Sequence, residues 1–285
     1  MAERLSRSTS LIVGPRPRIA VDLAGSGPAV VFLHGVGGNR SNWRGQLAAF
    51  GDAYQAIALD LRGYGESDDI EGELDFADFT RDVLRVMNHL GVQAAHLVGL
   101  SMGGLVAQAV YARQPESVLS LTLAACRPGS TPRFPGERDA QFLAARLQPM
   151  ISGGSAALAD ALLPSLLGAE VRAEAQAQIR ASLLALRPEM YAKVLKARVA
   201  LSPILDLATI RVPTLVLGGE QDRVAPARQM RELAEAVNGS RIAIAPGAGH
   251  LLNIEQPEFF NGELASFLGA LHGESHPGDR DRIHA

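Results

Sequence analysis

Short apolar runs separated by longer amphipathic segments recur along this chain, and this alternation constrains the fold more than any other feature. The apolar runs cover residues 18–23, 29–33, 55–60, 95–100, 118–125, 214–218 and 241–245. Several are apolar throughout, as strands are when both faces of their sheet are covered. Helical patterns lie between them, for example at residues 76–90 and 226–237. We therefore predict an α/β fold with a mostly parallel sheet and helices on both faces.

The alternation stops between residues 127 and 205, where the sequence has no convincing strand pattern. This segment opens with the turn-rich stretch RPGSTPRFPG and continues with Ala- and Leu-rich helical patterns at residues 137–150, 155–167, 169–186 and 188–201. Ligands of such sheets bind beyond the carboxyl ends of the strands, so helices inserted there are suited to cover a site. We expect a core domain at residues 1–126 and 206–271, a helical lid (cap) at 127–205, and a disordered tail at 272–285.

Composition narrows the possible partners. The chain has 27 Lys and Arg residues against 30 Asp and Glu, a net charge of −3, and no basic stripe with interleaved aromatic residues; a nucleic-acid partner is therefore not expected. No apolar run approaches the roughly 20 residues of a membrane helix, and the stretch MAERLSRSTSLIVG lacks a signal-peptide pattern. The single cysteine, Cys126, ends an apolar run and is expected to be buried. We expect a cytoplasmic protein with no membrane partner, and the oligomeric state stays open.

Ser101 lies in the stretch VGLSMGGLV, between the apolar run 95–100 and a helix-forming segment that ends before Pro115. A strand that turns directly into a helix forces its pivot residue into an unusual backbone conformation, and flanking glycines relieve the crowding. Gly99 and Gly103 occupy these flanking positions. The hydroxyl would then lie at a helix N-terminus, where free N–H groups and the helix dipole stabilise an oxyanion. The pattern therefore predicts a nucleophilic serine.

Two polar residues that could activate a serine nucleophile follow two other predicted strands. Asp222 follows the run 214–218, and His250 follows the run 241–245. A serine nucleophile needs a base to take its proton and a carboxylate to hold the imidazole of that base in the correct tautomer. Because parallel strands bring their carboxyl ends to one edge of a sheet, we predict that Ser101, Asp222 and His250 are the catalytic residues.

Residues next to these three are predicted to bind the substrate. The glycine-dense turn HGVGGN follows the run 29–33 and lets backbone come close to a ligand. We predict that the N–H of Val36 in this turn and the N–H of Met102, directly after the serine, stabilise a developing oxyanion. Val224 and Leu251, beside the predicted acid and base, are predicted to line the pocket wall.

Charged side chains occur at two further places. The loop DLRGYGESD at residues 60–68 follows a predicted strand, and its charges are expected to hold the loop rather than take part in chemistry. Arg133, Arg138 and Arg146 lie at the start of the predicted lid. Each arginine taken alone is expected on an outer helix face. If the substrate is a small anion, however, one of them would hold its carboxylate.

From about residue 18 to residue 271 the chain resembles the α/β-hydrolase fold superfamily, which shares the order Ser…Asp…His. The motifs that carry the resemblance are HG at 34–35, DLRGYGES at 60–67, GLSMGG at 99–104, Asp222, and GH at 249–250. The GLSMGG elbow is similar to that of 3-oxoadipate enol-lactonases and related small carboxylesterases. The resemblance implies hydrolysis of a carboxylic ester or (enol-)lactone of a small molecule, through an acyl-enzyme and without a metal or organic cofactor.

Other activities on this fold stay open. The serine nucleophile departs from haloalkane dehalogenases and epoxide hydrolases, which use aspartate there. Hydrolases that cleave a C–C bond in aromatic ring-cleavage products also have a helical lid, but they typically have Asn where this chain has Leu100, and a longer oxyanion loop. An acyltransferase or perhydrolase would use the same three residues, and a ligand receptor could be built on the same fold.

Overall fold

The computed structural model describes residues 8–128, 137–201 and 204–273 of the chain, and these segments contain one sheet and the helices around it. The strands are β1 (Thr9–Val13), β2 (Ile19–Ala24), β3 (Ala29–Leu33), β4 (Gln55–Leu59), β5 (Ala95–Leu100), β6 (Val118–Ala124), β7 (Thr214–Gly219) and β8 (Arg241–Ala245). The helices are α1 (Arg44–Phe50), α2 (Ala77–His89), α3 (Met102–Arg113), α4 (Glu137–Leu166), α5 (Ala173–Leu184), α6 (Pro188–Val199), α7 (Ala227–Ala236), α8 (Leu252–Glu255) and α9 (Pro257–Leu271).

The sheet has eight strands in the order β1-β2-β4-β3-β5-β6-β7-β8. From β4 through β3, β5, β6 and β7 to β8, each adjacent pair of strands is parallel. At one edge, β2 pairs antiparallel with both β4 and β1. The predicted mostly parallel sheet is therefore confirmed, and the carboxyl ends of its parallel strands meet at one edge.

Helices cover the sheet and explain why its strands are so apolar. Strands β3 and β5 are buried at every position. Helix α3 packs on β3, β5 and β6, helix α7 packs on β7 and β8, and helix α1 packs on β2 and β4. Phe32, Trp43 and Phe260 are among the largest fully buried side chains. Each such side chain stabilises the fold by roughly 1.5–3 kcal/mol through apolar burial.

The first strand was not predicted. β1 has only the apolar residues Leu11, Ile12 and Val13 after Thr9 and Ser10, and four of its five side chains are partly or fully exposed. It lies at the edge of the sheet, where one side of the strand has no partner among the described residues. The other strands were predicted with bounds that differ by no more than one residue at either end.

Among the described residues, three α-helices lie between β6 and β7, where a helical insertion was predicted. Helix α4 packs against α5 and α6. Within α4, Gly153 and Gly154 have non-helical backbone angles, and Gly154 has a φ of 67°. This break separates the two helices predicted at 137–150 and 155–167. The predicted helix 169–186 is shorter in the structure, at Ala173–Leu184.

The C-terminal end differs from the prediction at its first residues. His272, assigned to a disordered tail, closes α9 and lies beside His96 of β5. Residues 274–285 lie outside the described part of the chain. Within the described segments, no helix is long and apolar enough to cross a membrane, and no cluster of three or more His, Cys, Asp or Glu side chains could hold a metal ion.

Candidate active site

Ser101 occupies the sharp turn between β5 and α3. Its φ is 55° and its ψ is −113°, and only Ala125 shares a positive φ among the other described non-glycine residues. Such a conformation costs on the order of 1–3 kcal/mol and persists only where neighbouring structure enforces it. One contact that holds Ser101 in this conformation is a hydrogen bond of 2.8 Å from its N–H to the carbonyl of Ala124. The serine is thus held at the carboxyl edge of the sheet, at the start of a helix.

The glycines around the serine leave no room for a side chain. A Cβ at Gly99 would lie 2.3 Å from the carbonyl oxygen of Gly103. A Cβ at Gly103 would lie 2.0 Å from the carbonyl oxygen of Leu33. Both distances are far below a van der Waals contact, so the predicted need for glycine on each side of Ser101 is confirmed.

Asp222 and His250 follow neighbouring strands and form a hydrogen bond. Their strands β7 and β8 are parallel and in register, with Gly219 opposite Ala245. The Nδ1 atom of His250 lies 2.8 Å from Oδ2 of Asp222, and both side chains are buried. An ionised carboxylate only accepts hydrogen bonds, so in the neutral imidazole that faces it Nδ1 is the donor and the lone pair is on Nε2. This is the tautomer in which an imidazole can act as a base.

Backbone N–H groups fix the aspartate. The second oxygen of Asp222, Oδ1, accepts hydrogen bonds from the N–H groups of Val224 at 2.7 Å and Ala225 at 2.9 Å. Val224 was predicted to line the pocket. It is not among the described residues that line the cavity beside His250, and its backbone instead holds the carboxylate that faces the histidine.

The glycine-dense turn after β3 passes directly beside the serine. A Cβ at Gly35 would lie 3.0 Å from Cβ of Ser101. The turn is closed by a hydrogen bond of 3.1 Å from the N–H of Gly38 to the carbonyl of Gly35, which leaves Val36 at its tip. Met102 is the first residue of α3, so its N–H has no carbonyl partner within the helix. Both predicted oxyanion donors therefore lie on segments that flank Ser101.

A cavity of about 410 Å³, its open mouth included, lies beside this turn and His250. Val36 and Leu251 line it, as does Trp43, and Ile179 and Leu183 of α5 close it from the side of the helical insertion. Ser101 and Met102 are not among its lining residues; the serine lies next to Gly35 and Leu100, which are. The cavity is therefore an apolar space next to the serine, bounded in part by the predicted lid.

Comparison with known proteins identifies the family. The sequence pattern of the alpha/beta hydrolase fold matches residues 28–257, which is most of the chain. This chain belongs to the alpha/beta hydrolase fold family. The predicted superfamily and fold class are confirmed.

Relatives within the family have several activities. A dihydrolipoyllysine-residue acetyltransferase component of the acetoin cleaving system of Cupriavidus necator is 32% identical over 86% of this chain, which spans 64% of that protein's length. The 3-oxoadipate enol-lactonase 2 of Acinetobacter baylyi is 30% identical over 82% of this chain and 86% of its own. The solved structure of a thermophilic esterase from Thermogutta terrifontis, with malate bound, has a TM-score of 0.84 at 27% identity and covers 93% of this chain and 99% of its own. The predicted resemblance to enol-lactonase-like esterases is confirmed.

In this hydrolase, His34 at the start of the glycine turn is a structural residue. Its Nδ1 donates to the carbonyl of Gly35 at 2.8 Å, and its Nε2 accepts from the N–H of Leu61 at 3.1 Å. Complete burial lowers the pKa of His34, so the ring is neutral and both nitrogens are occupied. The ring also meets Tyr64 edge to face, with centroids 4.8 Å apart. His34 therefore ties the glycine turn to the loop after β4.

The charged side chains of the loop after β4 hold it in place, as predicted. The fully buried carboxylate of Asp60 accepts hydrogen bonds from the N–H groups of Arg40 at 2.7 Å and Glu66 at 2.9 Å, and from the guanidinium of Arg40. The hydroxyl of Ser67 donates to the carbonyl of Asp60 at 2.6 Å. These bonds fix the loop beneath the glycine turn.

The structure places Cys126 as predicted, but the proposed role of the three lid arginines stays a prediction. Cys126 is buried, as predicted, and burial raises the pKa of its thiol to about 12. Arg133 and the side chain of Arg138 lie outside the described residues. The guanidinium of Arg146 lies 5.5 Å above the ring of Phe142 on the same helix, and Arg146 is not among the described residues that line the cavity. A role for any of them in holding an anionic substrate stays a prediction.

One buried carboxylate next to the histidine was missed by the sequence analysis. Glu255 ends α8, five residues after His250, and accepts hydrogen bonds from backbone N–H groups on both sides of that histidine. Backbone donors leave no pattern of residue types, so the only sequence signal was an acidic residue at the end of the largely apolar stretch LLNIE.

Proposed function

We propose that this alpha/beta hydrolase cleaves a carboxylic ester or lactone of a small molecule, with Ser101 as nucleophile, His250 as base and Asp222 as the carboxylate that orients the base. The observation that carries the proposal is the 2.8 Å hydrogen bond between His250 Nδ1 and Asp222 Oδ2, at the sheet edge where Ser101 has its enforced positive φ. A neutral imidazole with a free Nε2 is what a serine hydroxyl needs in order to lose its proton.

The reaction proceeds in two halves. Ser101 Oγ attacks the carbonyl carbon while His250 Nε2 takes the hydroxyl proton, and the N–H groups of Val36 and Met102 bind the resulting oxyanion. The tetrahedral intermediate collapses and expels the alkoxide, which takes the proton from His250. Water then attacks the acyl-enzyme with the same histidine as base, which releases the carboxylic acid and restores the Ser101 hydroxyl.

The family relatives and the cavity support the choice of substrate class. The enol-lactonase and the esterase described above act, by their names, on lactones and esters. Leu251, Ile179 and Leu183 give the cavity an apolar wall, and sites for small molecules are mostly lined by such side chains. We propose that residues 127–205 act as a lid that keeps bulk water away from the acyl-enzyme.

The test compares Ser101→Ala with a control at the exposed Ser152. We expect Ser101→Ala to lower kcat on p-nitrophenyl esters and simple lactones by at least about 10³-fold, because the three catalytic groups act as a unit. Ser152→Ala should retain wild-type kcat, and circular dichroism should show both variants folded. Mass spectrometry with a slowly turned-over ester should detect an acyl group on Ser101 in the wild type. Turnover in pure Ser101→Ala at a tenth of the wild-type rate would exclude the proposed nucleophile.

Acyl transfer is a second candidate, favoured by the acetyltransferase component among the relatives. It would use the same acyl-enzyme, with an alcohol or thiol in place of water. The measurement is the ratio of transfer product to free acid when a range of acceptors is added at millimolar concentration. A product that is almost entirely free acid with every acceptor identifies a hydrolase.

A further inference from the structure

The carboxylate of Glu255 is buried and accepts three backbone hydrogen bonds. Its Oε2 accepts from the N–H of Gly168 at 2.8 Å and from the N–H of Gly249 at 3.0 Å. Its Oε1 accepts from the N–H of Leu251 at 3.1 Å. The residue is 6% exposed. Two of the donors flank His250, and the third belongs to the segment that follows α4 of the helical insertion.

The histidine loop and the end of α4 also touch each other directly. The N–H of His250 donates to the carbonyl of Leu166 at 2.7 Å. A Cβ at Gly249 would lie 2.4 Å from that carbonyl oxygen and 2.5 Å from the nitrogen of Gly168, so glycine is required for this approach. Glu255 thus closes a junction in which the backbone of the proposed lid and the backbone around His250 lie in contact.

Burying this carboxylate carries a cost that the three hydrogen bonds offset. Burial raises the pKa of Glu255, whereas the N–H groups of Gly168, Gly249 and Leu251 and the nearby His250 act in the opposite direction. An apolar residue of similar size would avoid the desolvation of a charge. It could not, however, accept hydrogen bonds from three converging N–H groups. Those of Gly249 and Leu251 would then be buried without a partner.

We propose that Glu255 is a positioning residue: by binding Gly249, Leu251 and Gly168 together, it fixes the His250 backbone and couples it to the end of the first lid helix. This inference rests on the proposed role of His250 as the base. Both halves of the proposed reaction need the imidazole aligned with Ser101, so loosening the junction lowers kcat. Most of the cavity wall comes from segments outside this junction, so we expect KM to change little.

Two substitutions separate positioning from a structural contribution. Glu255→Gln keeps the shape of the side chain, but its amide has one oxygen acceptor and one NH2 donor, so at least one of the three N–H groups faces another donor. Glu255→Asp keeps both acceptor oxygens on a side chain shorter by one methylene. Glu258→Gln, at an exposed site on α9, is the control.

We expect Glu255→Gln to lower kcat about 10- to 100-fold with KM within about 2-fold, since a displacement of about 1 Å at a catalytic group costs up to about 10²-fold. Glu255→Asp should fall between this variant and the wild type, and Glu258→Gln should match the wild type. The assays are run at a temperature at which circular dichroism shows each variant fully folded. Hydrogen exchange measured by mass spectrometry should become faster in Glu255→Gln, in peptides spanning both 166–170 and 247–252.

Three outcomes would overturn the proposal. One is wild-type kcat in Glu255→Gln, or in Glu255→Asp if the Gln variant does not fold. Another is a kcat loss accompanied by an equal change in KM. The third is faster exchange in only one of the two peptides, which would show that the lid end and the histidine loop are not coupled. If Ser101→Ala retains turnover, the proposed function has failed; if Ser101→Ala is inactive and Glu255→Gln is normal, only the positioning role has failed.

Discussion

The Nε2 atoms of His96 and His272 lie 3.1 Å apart, which joins strand β5 to the end of the last helix. The two rings meet edge to face with centroids 5.2 Å apart. On its other side, Nδ1 of His96 lies 2.8 Å from the hydroxyl oxygen of Ser120. Burial, together with the neighbouring His272, lowers the pKa of His96 to about 4. His96 is therefore neutral in the folded protein at pH 7.

This histidine makes stability depend on pH in the mildly acidic range. The unfolded chain binds the proton at a pKa near 6.5, and the folded protein only near 4, so the contribution of His96 is fully present above pH 6.5 and declines as the pH falls towards 4. Buried His34 acts in the same direction. We expect the free energy of unfolding, measured by urea titration, to decrease from pH 7 to pH 5. His96→Gln should make this decrease shallower; an unchanged slope would contradict the prediction.

Gly103, in the turn that holds Ser101, is expected to tolerate no side chain. Gly103→Ala places a Cβ 2.0 Å from the carbonyl oxygen of Leu33, so the start of α3 must move. We expect a loss of stability of more than about 3 kcal/mol, or failure to fold, because a well-packed core cannot absorb such a clash. Gly262→Ala is the control, since a Cβ there has open space within α9. It should be neutral or stabilising by up to about 1 kcal/mol. Equal unfolding midpoints for the two variants would refute this account of the turn.

Asp222→Asn is expected to lower activity without unfolding the protein. The amide oxygen can still accept from the N–H groups of Val224 and Ala225, which preserves the loop. The amide NH2 then faces His250 Nδ1 and favours the tautomer that lacks a free Nε2. We expect kcat to fall at least about 10³-fold, with thermal unfolding nearly unchanged. Asp206→Asn, at the cap of a short 3-10 turn, serves as the control. Wild-type kcat in Asp222→Asn would place the acid elsewhere.

The buried carboxylate beneath the glycine turn is expected to be a main determinant of stability. Asp60→Asn removes the fully buried charge that faces the partly buried guanidinium of Arg40, which is left with only Asp22 and Glu66 as anionic partners. We expect a loss of about 3 kcal/mol in the free energy of unfolding. Asp69→Asn, which breaks an exposed ion pair of 2.6 Å with Arg187, should cost less than about 1 kcal/mol. The comparison is made by urea unfolding at pH 7, and equal losses would show that burial of the pair contributes nothing.

The sequence predicted the features that depend on residues close together in the chain or on a general rule of sheet geometry. Apolar runs such as 29–33 and 95–100 gave strands with the predicted bounds, because strands buried on both faces have a continuous apolar signal. The glycines around Ser101 were predictable because only a residue without a Cβ fits that turn. Placing Asp222 beside His250 needed only the rule that parallel strands share a carboxyl edge.

What the sequence did not reveal depends on contacts between distant segments. Strand β1 is exposed and gains its structure from pairing with β2, so its own residues carry little signal. The antiparallel direction of β2 is set by its neighbours, since a strand sequence does not encode the direction of its partner. The three donors to Glu255 are backbone groups 4 to 87 residues away, and no side-chain pattern marks them.

The placement of Trp43 gives this hydrolase a built-in optical reporter. Trp43 is the only tryptophan among the 285 residues, and it lies in the wall of the cavity that His250 also lines. All of the indole fluorescence therefore comes from one position next to the proposed site. Entry of a ligand, or movement of α5 across the cavity, changes the polarity around that single fluorophore. Binding to an inactive variant can accordingly be followed in solution without attaching a label.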